Sequence, residues 1–164
     1  MSQLIIQTQQ QSEWCWAACA VSIARYFNPA STMRQCDVVD LVDPDQDCCE
    51  NPSAHNHPEG LTTAVRAVNS LRMSLDRALS FDELRAEIDA GRPVCAAIAW
   101  RSGGGHAVLI TGYRVLGSGS QHVHVEDPLN PAGDLDFDEF SNAYYGEGTW
   151  EATELLSAPP GGQS

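Results

Sequence analysis

At Pro93 the apolar pattern of the chain changes period, and this change limits the folds open to it more than any single motif. Upstream, residues 14–27 (WCWAACAVSIARYF), 35–42 (QCDVVDLV), 60–71 (GLTTAVRAVNSL) and 81–90 (FDELRAEIDA) have helical spacing. The first ends at Asn28-Pro29, which cannot continue a helix. The last opens on Ser80 with Glu83 three residues on, a capping box, and closes on Gly91. Downstream, PVCAAIAW, HAVLITGYRV and HVHVEDP are short runs rich in β-branched residues, separated by the turn-forming RSGGG and LGSGSQ. A short helix (FDEFSNAYY) and a last strand near GTWEATELL follow. Helices first and strands second predict an α+β domain with an N-terminal helical lobe and a C-terminal antiparallel β lobe. At 164 residues the chain has the length of one domain, expected over 1–156, with SAPPGGQS (157–164) as a disordered tail.

Charge and hydropathy remove whole classes of partner. The chain carries 22 acidic against nine basic residues, a formal charge of −13, and a phosphate backbone calls for the opposite sign. No nucleic acid is expected as ligand. No apolar run approaches the roughly 18 residues of a membrane span, so no membrane is expected as partner. Met1-Ser2-Gln3-Leu4 lacks the basic start and apolar core of a secretory signal. The protein is therefore expected to be cytoplasmic, or secreted without a cleaved signal peptide.

Within the first helix pattern, Cys15 stands between Trp14 and Trp16. A helix start offers unpaired backbone N–H groups and the positive end of the dipole, which stabilise a negative charge there. Cysteines in that setting and beside an imidazolium are the nucleophilic ones. Of five histidines, His106 follows three glycines and opens a strand, where open space lets a general base meet both thiol and substrate. A third group should orient the ring. If 106–115 and 122–127 form a hairpin, a turn centred at 116–117 pairs His106 with Asp127, and one centred at 118–119 leaves Asp127 on the same face. Glu126 and Asn130 then point the other way. Asn130 stays a second candidate because Pro128 and Pro131 interrupt the strand. For a developing oxyanion, a glutamine amide from the preceding loop could join the Cys15 N–H, with Gln9, Gln10 and Gln11 as candidates.

Taken together, QQQSEWCWAACAVSIARYF, the QC at 35–36, the DCC at 47–49, AGRPV at 90–94, GGGHAVLITGY at 103–113 and VEDPLNP at 125–131 resemble the papain-clan peptidases related to the plant-pathogen avirulence proteases, which are bacterial effectors, and more distantly the bacteriocin leader peptidases. The resemblance covers about residues 3 to 155. It implies a papain-like fold with Cys15 as nucleophile, His106 as base, Asp127 as orienter and Gln9 in the oxyanion hole. The expected activity is hydrolysis of peptide bonds in a protein or peptide substrate through a thioester, with no cofactor and no metal. A transpeptidase, transglutaminase or deamidase would use the same three residues, and a binding module that keeps the fold without catalysis is the reading from another class.

The remaining cysteines and histidines have plainer readings. Cys36, Cys48, Cys49, His55 and His57 are residue types that bind zinc, but adjacent cysteines chelate one metal poorly, and the other reading is a disulfide from Cys36 to Cys48 or Cys49. Cys19 lies one turn after Cys15 and Cys95 alternates into a strand, so both are expected in the core. His122 and His124 are expected on a solvated strand face.

Overall fold

The computed structural model describes residues 3–160. In chain order the elements are α1 (Cys15–Phe27), α2 (Gln35–Val42), a 3-10 turn (Pro52–His55), α3 (Leu61–Ala67), β1 (Leu71–Leu75), α4 (Phe81–Asp89), β2 (Val94–Trp100), β3 (Gly105–Val115), β4 (Gln121–Glu126), β5 (Gly133–Asp136), α5 (Phe137–Ala143) and β6 (Gly148–Leu156). The strands form one antiparallel sheet in the order β1-β6-β2-β3-β4-β5. The fold is α+β, with three helices ahead of the sheet and two inserted in it.

Helix α1 is apolar all round, with residues Trp16 to Ile23 buried in unbroken succession. A helix of that kind belongs inside a domain, and α1 lies between α2, α3 and the sheet face formed by Cys95, Ala107, Leu109 and Leu156. The opposite sheet face, with Val94, Ala96, Ile98, Val108, Ile110, Val123 and Val125, is covered by Phe81 and Leu84 of α4 and Phe140 of α5. The sheet is thus the middle layer, and its β2 and β3 read as continuous apolar runs because both faces are buried. Helix α4 begins with the expected capping box, Glu83 N donating to Ser80 Oγ at 3.1 Å and Ser80 N to Glu83 Oε1 at 2.9 Å, and Gly91 ends it at φ 80°.

Two differences from the expected elements are local. The helix expected over 60–71 stops at Ala67, because Asn69 takes a left-handed φ of 60° and Ser70 N closes back on Val65 O, after which the chain becomes the edge strand β1. The short β5 was not expected, and it pairs with β4 from Val125↔Gly133 to His122↔Asp136. The tail expected at 157–164 lies partly outside the described residues. Among those described, no helix is long and apolar enough to cross a membrane.

Candidate active site

Cys15 is the first residue of α1, and the first turn has neither a side-chain cap nor an acidic residue to compensate the positive end of the helix. The flanking tryptophans explain how the thiol is aimed. Trp14 Nε1 donates to His55 O and Trp16 Nε1 to His57 O, both at 3.0 Å, so the indoles dock on one segment of the loop between α2 and α3. Asn56 completes the seam by accepting from Glu13 N at 2.8 Å and donating to Ser12 Oγ at 2.9 Å. With both neighbours anchored, Cys15 is left half-buried at the floor of a cleft of about 260 Å³ that also holds His106.

The docking loop is itself held in two ways. Cys36 of α2 and Cys49 form a disulfide, which settles the choice between Cys48 and Cys49, and Cys48 is a buried free thiol. His55 is buried with Nδ1 against Asp43 at 2.7 Å and Nε2 against Asp47, an arrangement that needs both ring protons. The hydrogen bond to Asp43 pushes His55 up against the cost of burial, and Asp43 is held down to about 2, chiefly by His55. These residues therefore serve as fasteners: the disulfide occupies two of the sulfurs considered for zinc, and both nitrogens of His55 face carboxylates.

His106 lies opposite Ile98 at the start of β3. Its Nε2 meets Asp127 Oδ1 at 2.8 Å, and Cys15 lies beside the ring in the same cleft. Burial lowers the affinity of this imidazole for a proton, but the bond to Asp127 and the nearness of Cys15 outweigh it and raise the pKa from 6.5 to about 9. Asp127 shows the converse balance. Its burial favours the neutral acid, yet the bonds from His106, Tyr144 and the Leu129 amide bring it down to about 2. The carboxylate accepts five bonds: Oδ1 from His106, Leu129 N (2.8 Å) and Asn130 N (3.1 Å), and Oδ2 from Asn130 Nδ2 (3.2 Å) and Tyr144 OH (2.6 Å). Asn130, the second candidate for orienting the ring, bonds Asp127 instead.

The hairpin reaches this geometry by a route the expected turns do not contain. The β3–β4 turn is centred on Ser118, with Val115 opposite Gln121 and Gly112 opposite His124. Continued unbroken, that register would put Asp127 on the face opposite His106. A register shift at Thr111 changes the pairing to Ile110↔Val125 and Leu109↔Glu126, which turns Asp127 back to the His106 face. Two departures cancel.

The glutamine segment is ordered by a residue that sequence reasoning passed over. Buried Gln35, at the start of α2, accepts from Gln10 N and donates to Gln7 Oε1 and Thr8 O. Gln9 N donates to Pro128 O at 2.9 Å, tying the segment to the residue after Asp127. The Gln9 Nε2 donates to Gln11 O at 3.1 Å and Ser12 O at 2.8 Å, and its Oε1 is buried without a partner. Cys19 and Cys95 are buried as expected, and burial, with Cys95 beside it, pushes the Cys19 thiol well up. His124 departs from the solvated face expected of it: Nδ1 meets Asp134 at 2.7 Å and Nε2 meets Glu126 at 2.8 Å, linking β4 to β5. Sequence reasoning also missed Trp100 and Tyr144. The one stacks on the His106 ring at 5.8 Å and the other bonds Asp127.

A thiol at an uncompensated helix start, in contact with an imidazole whose far nitrogen is held by a buried carboxylate, is the arrangement that nucleophilic thiol chemistry requires. The family model of the papain-like cysteine protease AvrRpt2 matches residues 2–144, from the N-terminal segment through α5. No curated protein matches the chain.

Proposed function

The chain belongs to the family of the papain-like cysteine protease AvrRpt2 and is a thiol protease; from that premise we propose that Cys15, His106 and Asp127 hydrolyse peptide bonds of a protein or peptide substrate through a thioester. The observation that carries the reading is the His106 ring, bonded to Asp127 and lining one cleft with Cys15. The Cys15 sulfur attacks the substrate carbonyl carbon, and the negative charge on the oxygen is met by the Cys15 N–H and by Gln9, whose Nε2 turns one N–H away from Gln11 O or Ser12 O to reach it. As the C–N bond breaks, the His106 imidazolium gives its proton to the leaving amine. Water then adds to the thioester, losing a proton to His106, and the acid departs with return of the thiolate. The cleft supports a substrate with an apolar side chain, since Leu61, Ala97, Ile98 and Ala107 line it, and Glu13 and Glu59 give it an acidic rim.

Incubation with a proteome-derived peptide library, followed by mass spectrometry, should reveal new peptide termini. Ammonia release without new termini would assign the site to deamidation, and transfer products in added amine would assign it to transpeptidation or transglutamination. The pH profile provides a second check. Because the imidazolium is the form that protonates the leaving amine, and His106 loses that proton near pH 9, kcat/KM should fall on the alkaline side with a midpoint near 9. A midpoint near 6.5 would mean that Asp127 and Cys15 do not hold the proton on the ring.

A further inference from the structure

We propose that Tyr144 is a positioning residue of this site: its hydroxyl fixes the Asp127 carboxylate while its ring, through Trp100, fixes the His106 imidazole. The inference rests on the catalytic reading above and adds to it a residue from outside the three.

Four side chains close a ring. His106 bonds Asp127 at 2.8 Å, Asp127 accepts from Tyr144 OH at 2.6 Å, Tyr144 stacks on Trp100 at 6.2 Å with 13° between planes, and Trp100 stacks on His106 at 5.8 Å with 23°. They come from β3, the segment after β4, the end of α5 and the end of β2. A carboxylate bonded at Oδ1 alone could swing about its Cβ–Cγ bond. The phenol at Oδ2, at 2.6 Å the closer of two donors there, the other being Asn130 Nδ2 at 3.2 Å, does most to remove that freedom, and the stacked face of Trp100 keeps the imidazole from tilting. Charge is affected as well. A donor on Oδ2 draws negative charge from Oδ1, so the carboxylate holds the His106 proton less tightly than a bare one would.

The local backbone is arranged for this placement. Tyr145 follows at φ 51° and Gly146 at φ 79°, and Tyr144 exchanges both backbone bonds with Gly148, N to O at 2.9 Å and O from N at 2.8 Å. A left-handed tyrosine is costly, and such strain persists where the surroundings over-determine it. At Gly148 a Cβ would come within 2.6 Å of Ile98 Cγ2 and 2.8 Å of Trp100 Cζ3, so glycine there leaves room for the tryptophan ring. Burial, and then the Asp127 carboxylate, push the Tyr144 phenol well up, which keeps it a donor at working pH. The titratable groups facing Asp127 are His106, with Cys15 beyond it, Cys19 of α1 and Tyr144, whose own neighbour is Tyr145.

The test needs no substrate. Alkylation of Cys15 by iodoacetamide, followed by peptide mapping from pH 5 to 10, should show in the wild type an upper inflection near 9, where His106 loses its proton. Tyr144→Phe should move that inflection upward by roughly half a pH unit, less than the full effect of a hydrogen bond to a charged group because the phenol acts on His106 only through the carboxylate. In an Asp127→Asn background the same substitution should move it no further, because the phenol acts through the carboxylate. Replacing the four tyrosines biosynthetically by 3-fluorotyrosine, with the fold checked by circular dichroism, makes the phenol a stronger donor, so the inflection should move down. If the wild type shows the inflection and both replacements leave it in place, the inference is wrong and the catalytic reading stands. If Cys15 in the wild type labels like an ordinary thiol with no inflection, both fall.

Discussion

Cys15→Ala is expected to fold with a melting temperature close to that of the wild type and to lose peptide hydrolysis by about 10⁴-fold or more. The fold should survive because the anchors on either side remain: Trp14 and Trp16 keep their bonds to His55 O and His57 O, and the half-buried sulfur between them supports little else. Activity should not survive, since the other groups proposed to act on the substrate stabilise or move charge and none can form the covalent intermediate. The matched control is Cys19→Ala, one turn along α1. Cys19 is fully buried, and burial and Cys95 keep its thiol protonated, so it has neither access nor nucleophilic form. Removing it should cost stability of about 1–2 kcal/mol through packing and leave most of the activity. Equal activity in Cys15→Ala and wild type, checked on the library-selected peptide, would overturn the assignment of the nucleophile.

The parts of this molecule that can be read from its sequence are those decided by near neighbours. Helix α2 over 35–42, the capping box at Ser80 and Glu83, and β6 over 148–156 each follow from spacing, caps or composition within a few residues. The juxtaposition of Cys15 with His106 is legible for a related reason, since a helix start and a glycine-rimmed strand start are local features that thiol chemistry brings together. What escapes is set by distant partners. Asn69 ends α3 early, and the residues after it become a strand because β6 offers an edge, which residues 60–71 do not encode. The register shift at Thr111 has no signature in HAVLITGYRV, so the expected face for Asp127 was reached through a turn the hairpin does not use. Tyr144 and Trp100 look like ordinary aromatic core residues until the sheet order places β2 beside β3 and the end of α5 beside β4. The role of His55 and His57 as backbone acceptors for two indoles could not be read either, because a carbonyl carries no residue identity.

Asp127→Ala should lower kcat by about 10²- to 10⁴-fold, the range expected when a base loses its orienting carboxylate. It should also lower stability by on the order of 3 kcal/mol, since it leaves His106 Nε2, Tyr144 OH, two backbone amides and Asn130 Nδ2 without their acceptor. For that reason Asp127→Asn is the more informative substitution. The two backbone donors, Leu129 N and Asn130 N, both point at the Oδ1 position, and backbone donors cannot turn into acceptors. The introduced amide must therefore keep its oxygen at Oδ1, facing His106, and place its NH₂ at the Oδ2 position, where the Tyr144 hydroxyl can rotate to accept and the Asn130 amide can flip. His106 keeps its Nε2 proton and with it the tautomer that leaves Nδ1 for Cys15; only the charge is lost. A hydrogen bond to a charged group contributes roughly 1.5–3 kcal/mol against about 1 kcal/mol for a neutral one, so the loss in kcat should be about tenfold, smaller than for alanine. Asn130→Ala removes one 3.2 Å bond to Oδ2 and should cost less than about tenfold. The order alanine worse than asparagine at 127, with Asn130→Ala mildest, is measured by steady-state kinetics on one peptide at one pH below 8. Were Asn130→Ala crippled and Asp127→Ala near wild type, the ring would be oriented by the asparagine, and the carboxylate that the Thr111 register shift turns toward His106 would have no part in catalysis.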